Sequence, residues 1–194
     1  MDDGRILLCG EESFGTSSSH IREKDGFWAI LAWLSILADR NPDASKPLVT
    51  VEEVVKGHWK EFGRNYYIRY DFEAVETKGA NDMMAHLQTQ FEPFMKEKEG
   101  NKAEIFEYHD PVDKSISKNQ GIIFTFASGS RIIFRLSGTG SVGATIRVYF
   151  DSYVSDPERL DINVSDALSD LITKFKDLSQ IQSFTGRENP TVIT

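Results

Sequence analysis

Between Arg131 and Tyr153 the chain repeats one pattern twice: Ile132, Phe134 and Leu136 alternate with other residues, and Ile146, Val148 and Phe150 alternate again after a glycine-rich break. Period-two alternation marks a half-buried strand, so extended chain is expected to run into and out of the break. The break itself is Ser137-Gly138-Thr139-Gly140-Ser141-Val142-Gly143, with Arg135 and Arg147 at its two ends. Glycine lets backbone N–H groups come close to a ligand, and Ser137, Thr139 and Ser141 add hydroxyl donors. The two arginines add planar forks that match phosphate oxygens. An anionic phosphate suits this composition, although a glycine-rich hairpin loop that binds nothing shares the same local pattern.

Gly138 to Gly143 also satisfies G-x-G-x-x-G, the dinucleotide fingerprint. That fingerprint needs a helix to open directly after the loop, and Ala144 to Tyr153 is β-branched, aromatic and alternating instead. The nucleotide P-loop pattern G-x-x-x-x-G-K-[ST] does not occur in the chain. A second polar stretch, Cys9-Gly10-Glu11-Glu12-Ser13-Phe14-Gly15, follows the apolar run Ile6-Leu7-Leu8 and leads through His20 to Gly26 into a helical pattern. This predicts strand, polar loop and helix in succession. A carboxylate beside a hydroxyl at such a loop can recognise vicinal sugar hydroxyls, and it can also be a solvated turn.

Asp25 to Arg40 predicts a helix with Asp25 as its N-cap. Phe27, Trp28, Ile30, Leu31, Trp33, Leu34, Ile36 and Leu37 cover most of its circumference. A helix apolar on nearly all sides belongs inside a layered domain, yet one strand candidate precedes it, so the chain is expected to begin within a domain. Asn41 to Leu48 holds two prolines and reads as a linker. Thr50-Val51-Glu52-Glu53 is a capping box opening a helix to about Phe62. A strand over 66–72, a helix over 77–91 and a charged surface connection over 92–102 follow. Strands are then expected near 105–108, 122–127, 131–136 and 145–153, with a turn at Ala127-Ser128-Gly129-Ser130. A closing helix over 165–182 carries the stripe Leu168, Leu171, Ile172, Phe175 and Leu178. The fold class is therefore α+β: the remnant of a doubly wound α/β domain, then a small domain with an antiparallel sheet packed by helices.

Composition narrows the function classes. At 194 residues and a formal charge of −8, nonspecific nucleic-acid binding is disfavoured, and the anion site has to be local. The single Cys9 allows no internal disulfide, no apolar run reaches a membrane span, and no positively charged leader precedes the first strand. A soluble cytoplasmic protein, without nucleic-acid or membrane partners, is the expectation. Asp110-Pro111-Val112-Asp113 offers paired carboxylates, but in a proline-containing loop they predict a turn, and no metal ligand is assigned.

GEESFG, then HIREKDG, then RLSGTGSVGATIR together resemble the sugar-binding and phosphate-binding loops of the eukaryotic phosphoglucomutase family, within the α-D-phosphohexomutase superfamily. The likeness extends through GRNYYIRYDFEAVE, DPVDKSISKNQG and PTVIT. It implies that residues 1–48 are the end of the family's third domain with a linker, and that residues 49–194 are its fourth domain. It further implies that Glu11 and Ser13 contact sugar hydroxyls, and that Lys24 approaches the reacting phosphoryl group. Arg135, Ser137, Gly138, Thr139, Gly140 and Arg147 would hold the phosphate not being transferred. The family's phosphoserine motif, of T-A-S-H type, and its magnesium loop, of D-G-D-G-D-R type, are absent from these residues. Mg2+ and glucose 1,6-bisphosphate are thus implied for the complete enzyme, with glucose phosphates and its N-terminal domains as partners. This stretch alone is expected to be inactive. Ser17-Ser18-Ser19 departs from the family's glycine-containing run at that point. The alternative is an autonomous, non-catalytic phosphosugar-binding or regulatory protein.

Overall fold

A computed structural model describes residues 4–11, 15–140 and 143–194, with the backbone alone for 138–140. The chain divides into two compact units, Met1–Glu61 and Phe62–Thr194. A break after Leu48 falls inside the first unit because Asn41 clips the proline-bearing segment onto the preceding helix. Its amide donates to Leu37 O at 2.8 Å and Val49 O at 3.1 Å, and its Oδ1 accepts from Val49 N at 2.6 Å.

In the first unit, β1 (Leu8–Gly10) and β2 (Thr16–Ser18) pair antiparallel. Glu11 N donates to Gly15 O at 2.9 Å and Thr16 Oγ1 to Cys9 O at 2.7 Å, so the polar stretch folds back on itself. The expected direct passage from strand through loop to helix is corrected accordingly: a hairpin intervenes. Helix α1 (Gly26–Arg40) starts where Trp28 N donates to Asp25 Oδ1 at 3.0 Å, satisfying one of the orphan donors of its first turn. No residue of α1 is buried, and Phe27, Ile30, Leu31 and Leu34 are each more than half exposed. Helix α2 (Val51–Phe62) opens on the predicted capping box. Thr50 N donates to Glu53 Oε2 at 2.7 Å, and Glu53 N donates to Thr50 Oγ1 at 3.2 Å.

The second unit runs β3 (Arg64–Val75), α3 (Thr77–Thr89), α4 (Phe91–Glu97), β4 (Lys102–Ile105), the small hairpin β5 (Tyr108–His109) and β6 (Ile116–Ser117), and β7 (Ile122–Thr125). It continues with β8 (Arg131–Gly140), β9 (Gly143–Val154), α5 (Val164–Ala167), α6 (Ser169–Ser179), α7 (Ile181–Thr185) and β10 (Val192–Ile193). Six strands form one sheet in the order β10-β3-β9-β8-β7-β4, every neighbour antiparallel. Alternation sorts its two faces. Ile68, Phe72, Ile132, Phe134, Ile146, Val148 and Phe150 turn inward with Leu87 of α3 and Phe175 of α6. Arg69, Asp71, Arg131, Arg135, Arg147 and Asp151 share the opposite, polar face.

Two local expectations are corrected. The charged connection over 92–102 contains α4, whose Phe94 is buried against Phe124 at 5.1 Å between ring centroids. Glu92 and Lys96, one turn apart, pair on its outer side and gave the segment its surface look. The single closing helix is three: Leu168, at φ −105° and ψ 8°, separates α5 from α6, and Gln180, at a left-handed φ of 44°, separates α6 from α7. That turn redirects the chain so that both Leu178 and Ile181 stay in the core.

Candidate functional site

Glu11 and Gly15 are tied together by the bond from Glu11 N to Gly15 O, and Glu11 also by an ion pair. Lys24 Nζ donates to Glu11 Oε1 at 2.5 Å, joining two residues that the sequence had singled out separately. Gly15 makes room for this crossing: a Cβ there would stand 2.6 Å from Lys24 Cδ and 3.1 Å from Glu11 Oε1. The pair lines a cleft of about 260 Å³ with Cys9, Gly10, Thr16, Ser17, Arg22 and Glu23. Ser13 lies outside the described residues. His20 bridges the base of the loop, with Nδ1 2.6 Å from Ser18 Oγ and Nε2 2.8 Å from Asp25 Oδ2. Its ring stacks on Trp28 at 6.3 Å, which suits a structural tie. The bond from Trp28 N, and then that to His20, hold the Asp25 carboxyl below the usual carboxylate range.

In the second unit the two arginines meet by register. Arg135 on β8 and Arg147 on β9 are direct cross-strand partners, so both cations rise from the polar face side by side. Like charges so placed repel, and a doubly charged anion offered two guanidinium forks relieves that repulsion. Ser137 pairs with Thr145 one step nearer the loop, and Thr139 and Gly140 pair with Ala144 and Gly143. Ser141 and Val142 lie outside the described residues. Strand β9 begins at Gly143, where the dinucleotide fingerprint would need a helix.

Both strands beneath the loop are irregular there: the β8–β9 register shifts between Ser137 and Thr139, and the β3–β9 register between Phe72 and Val75. Bulges at a sheet rim re-aim side chains. Ala74 within the second one takes φ 52°, a left-handed conformation that is costly for alanine. Gly143 sits against this bulge with φ +102°, and a Cβ on it would come 2.9 Å from Val75 O. On the other side of the pair, a Cβ at Gly121 would lie 3.1 Å from Arg135 Cγ.

Sequence reasoning missed Asp71. It stands on β3 directly beside Arg147, its side chain only 6% exposed. An aspartate within a Tyr-, Ile- and Phe-rich strand was the only signal, and register alone tells which strand it faces. Asp110 and Asp113, by contrast, are consumed by a turn. Asp110 Oδ1 accepts from Val112 N at 2.7 Å and Asp113 Oδ1 from Ser115 N at 2.8 Å. The Ser115 hydroxyl and N–H hold the Asp113 carboxyl below its ordinary range. Among the described residues no three His, Cys, Asp or Glu side chains converge as a metal set, so the residues present do not fit a magnesium site.

A larger cleft, about 350 Å³, lies around the β7–β8 turn at the other end of β8, between Glu97, Asn101, Ser128, Asp170 and Lys174. Its groups satisfy one another. Lys174 Nζ pairs with Glu97 at 2.6 Å, and Asn101 bridges Phe94 O at 3.1 Å and Ala127 N at 3.0 Å. It is about 20 Å from the arginine pair by strand rise, too far to serve the same phosphate group.

Comparison with known proteins follows the same division. The family model "Phosphoglucomutase-1, C-terminal domain" matches residues 64–191, and "Phosphoglucomutase/phosphomannomutase, alpha/beta/alpha domain III" matches residues 1–62. The phosphoglucomutase-1 of Paramecium tetraurelia is 58% identical over 194 residues, covering 100% of this chain and 33% of that protein. Relatives named for the cytoplasm in Bromus inermis and for the chloroplast in Solanum tuberosum are 52% and 51% identical, with 100% of this chain and 36% and 32% of theirs covered. A crystal structure of the exocytosis-sensitive phosphoprotein parafusin, a phosphoglucomutase from Paramecium, superposes in an open form with TM-score 0.92 at 58% identity. It covers 100% of this chain and 34% of that one. The chain thus spans about a third of the length of the curated relatives it matches. No helix among the described residues is long and apolar enough to cross a membrane.

Proposed function

Because the chain belongs to the phosphoglucomutase family, we propose that it serves as the C-terminal third of a phosphoglucomutase that interconverts glucose 1-phosphate and glucose 6-phosphate through glucose 1,6-bisphosphate. In this reading residues 1–48 carry sugar recognition and residues 49–194 carry phosphate recognition. Glu11 and Ser13 orient the sugar hydroxyls. Lys24 supplies a cation near the reacting phosphoryl group, released from Glu11 when substrate hydroxyls take that carboxylate. Arg135 and Arg147 grip the phosphate that stays in place, with Ser137, Gly138, Thr139 and Gly140 donating around it.

The direct cross-strand pairing of Arg135 with Arg147 carries this proposal. A pair of cations held at adjacent exposed positions is suited to an anion gripped by both. Holding one phosphate while the sugar is presented at either end favours a transferred group over bulk water, since the bound geometry replaces a bimolecular encounter. Mg2+ and the phosphoserine are assigned to other parts of the complete enzyme, since the family's magnesium and phosphoserine motifs do not occur in this sequence. A cytoplasmic setting suits a chain whose one cysteine, Cys9, is exposed and unpaired, and relatives in Bromus inermis and Zea mays bear that location in their names.

Two measurements test this. Calorimetry with glucose 1,6-bisphosphate is expected to give saturable binding that Arg135→Ala weakens by roughly 1.5–3 kcal/mol, the usual worth of a charge-assisted contact. Absence of saturable binding overturns the phosphate role. A coupled assay of the 194-residue chain with Mg2+ and the bisphosphate is expected to show no turnover. Turnover would overturn the division of labour. Binding without turnover by a native polypeptide of this size would instead favour an autonomous phosphosugar-binding or regulatory protein.

A further inference from the structure

Arg135, Arg147 and Asp71 form one transverse row across β8, β9 and β3, since Arg135 pairs with Arg147 and Arg147 with Asp71. The Asp71 carboxylate is nearly closed to solvent and has two cationic neighbours. Arg69 Nε donates to its Oδ1 at 2.9 Å, and Arg147 Nε stands 3.6 Å from its Oδ2. That Arg147 nitrogen is buried without a hydrogen bond, while the side chain as a whole is 40% exposed. The guanidinium therefore has its Nε edge turned inward, toward the carboxylate, and its Nη edge as the accessible part. Arg69, only 15% exposed, fixes the carboxylate from the other side.

We propose that Asp71 is a positioning residue of the phosphate grip. It holds Arg147 by the Nε edge so that the two Nη groups form the fork presented to the anion, and its negative charge offsets the repulsion between Arg135 and Arg147. A buried carboxylate cannot itself welcome a phosphate, so it acts through the arginine. On anion binding, the Nε–Oδ2 separation closes to a hydrogen bond and the orphaned donor is satisfied. This inference rests on the phosphate role proposed above for Arg135 and Arg147.

Titration of the full 194-residue chain with inorganic phosphate, followed by NMR of the arginine side chains, tests both levels separately. Asp71→Asn keeps the shape and removes the charge. It is expected to weaken phosphate about tenfold and to speed solvent exchange of the Arg147 Nε–H, with the backbone amide spectrum unchanged. Arg147→Ala is expected to abolish binding. If Arg147→Ala abolishes binding and Asp71→Asn leaves affinity unaltered, the positioning role is overturned and the phosphate role stands. If the wild-type chain shows no saturable response, or Arg147→Ala makes no difference, the phosphate role falls and this inference with it. Should Asp71→Asn fail to fold, the wild-type spectrum decides. Phosphate should shift the Arg147 Nη signals and slow solvent exchange of Nε–H as its bond to Asp71 closes, and an Nε–H that exchanges faster with phosphate bound overturns the proposal.

Discussion

The two loops proposed to recognise substrate stand on very different foundations. Among the described residues of the first unit, Ser17 alone is buried, and Glu11 and Gly15 are placed by a short hairpin and the exposed Lys24–Glu11 pair. The second unit anchors its loop to a sheet whose inner face packs Phe72, Phe134 and Phe150 around Phe175, with ring centroids 5.5–6.1 Å apart. Aromatic contacts of that kind add to burial of large apolar areas. The contrast separates two ways to place a polar side chain. Hydrogen bonds between neighbours in sequence place Asp25 and Glu53, whereas strand register enforced by a distant core places Arg135, Arg147 and Asp71.

The largest effect that would break this contrast concerns the cores. Phe175→Ala should cost about 3–5 kcal/mol in a denaturant melt. Leu31→Ala on α1, 62% exposed, should stay within about 0.5 kcal/mol. Equal losses would mean that the first unit has a core of its own. Next in size, Gly143→Ala should lose about 1–3 kcal/mol, because alanine must adopt a positive φ against the strand bulge. Thermal unfolding measures it, and an unchanged midpoint would show that the bulge yields. Smallest is the cap of α2: Thr50→Ala should cost about 1 kcal/mol of helix stability, read by far-ultraviolet circular dichroism.

The same cap has an acid dependence of defined sign. The Thr50 backbone N–H, and then its hydroxyl, hold the Glu53 carboxyl below its ordinary range. A depressed folded pKa means that the contribution is present above the unfolded value and disappears as pH falls through the folded one. Helicity of α2 should therefore drop in acid, and Glu53→Gln, which cannot ionise, should flatten that dependence. An undiminished acid response in the variant would assign it to other carboxyls.

Legibility in the sequence followed the same line between local and distant causes. The capping box at Thr50, the cap at Asp25 and the alternation around Phe134 and Val148 were readable because each is decided within a few residues. The buried side of α4 was not, since charged residues dominate the stretch 92–102 while Phe94 does the packing. The turn at Gln180 was hidden because no glycine marks it. Arg135 and Arg147 could be suspected of sharing a ligand, but Asp71 could not be attached to them. It is far away in the chain, and a one-residue slip of β3 would have turned it to the other face.

That distance bears on how the unit assembles. The β8–β9 hairpin closes a short loop, so the Arg135–Arg147 pair can form early and without help from the remainder of the chain. Strand β3 reaches β9 only across a long stretch of chain, and Thr191 bonds to Asp71 O over a separation of 120 residues. The counter-charge therefore arrives after the two cations have been brought together. Contact order thus predicts that docking of β3 comes late and relieves a repulsion set up by the β8–β9 hairpin, and phosphate in the refolding buffer should speed refolding.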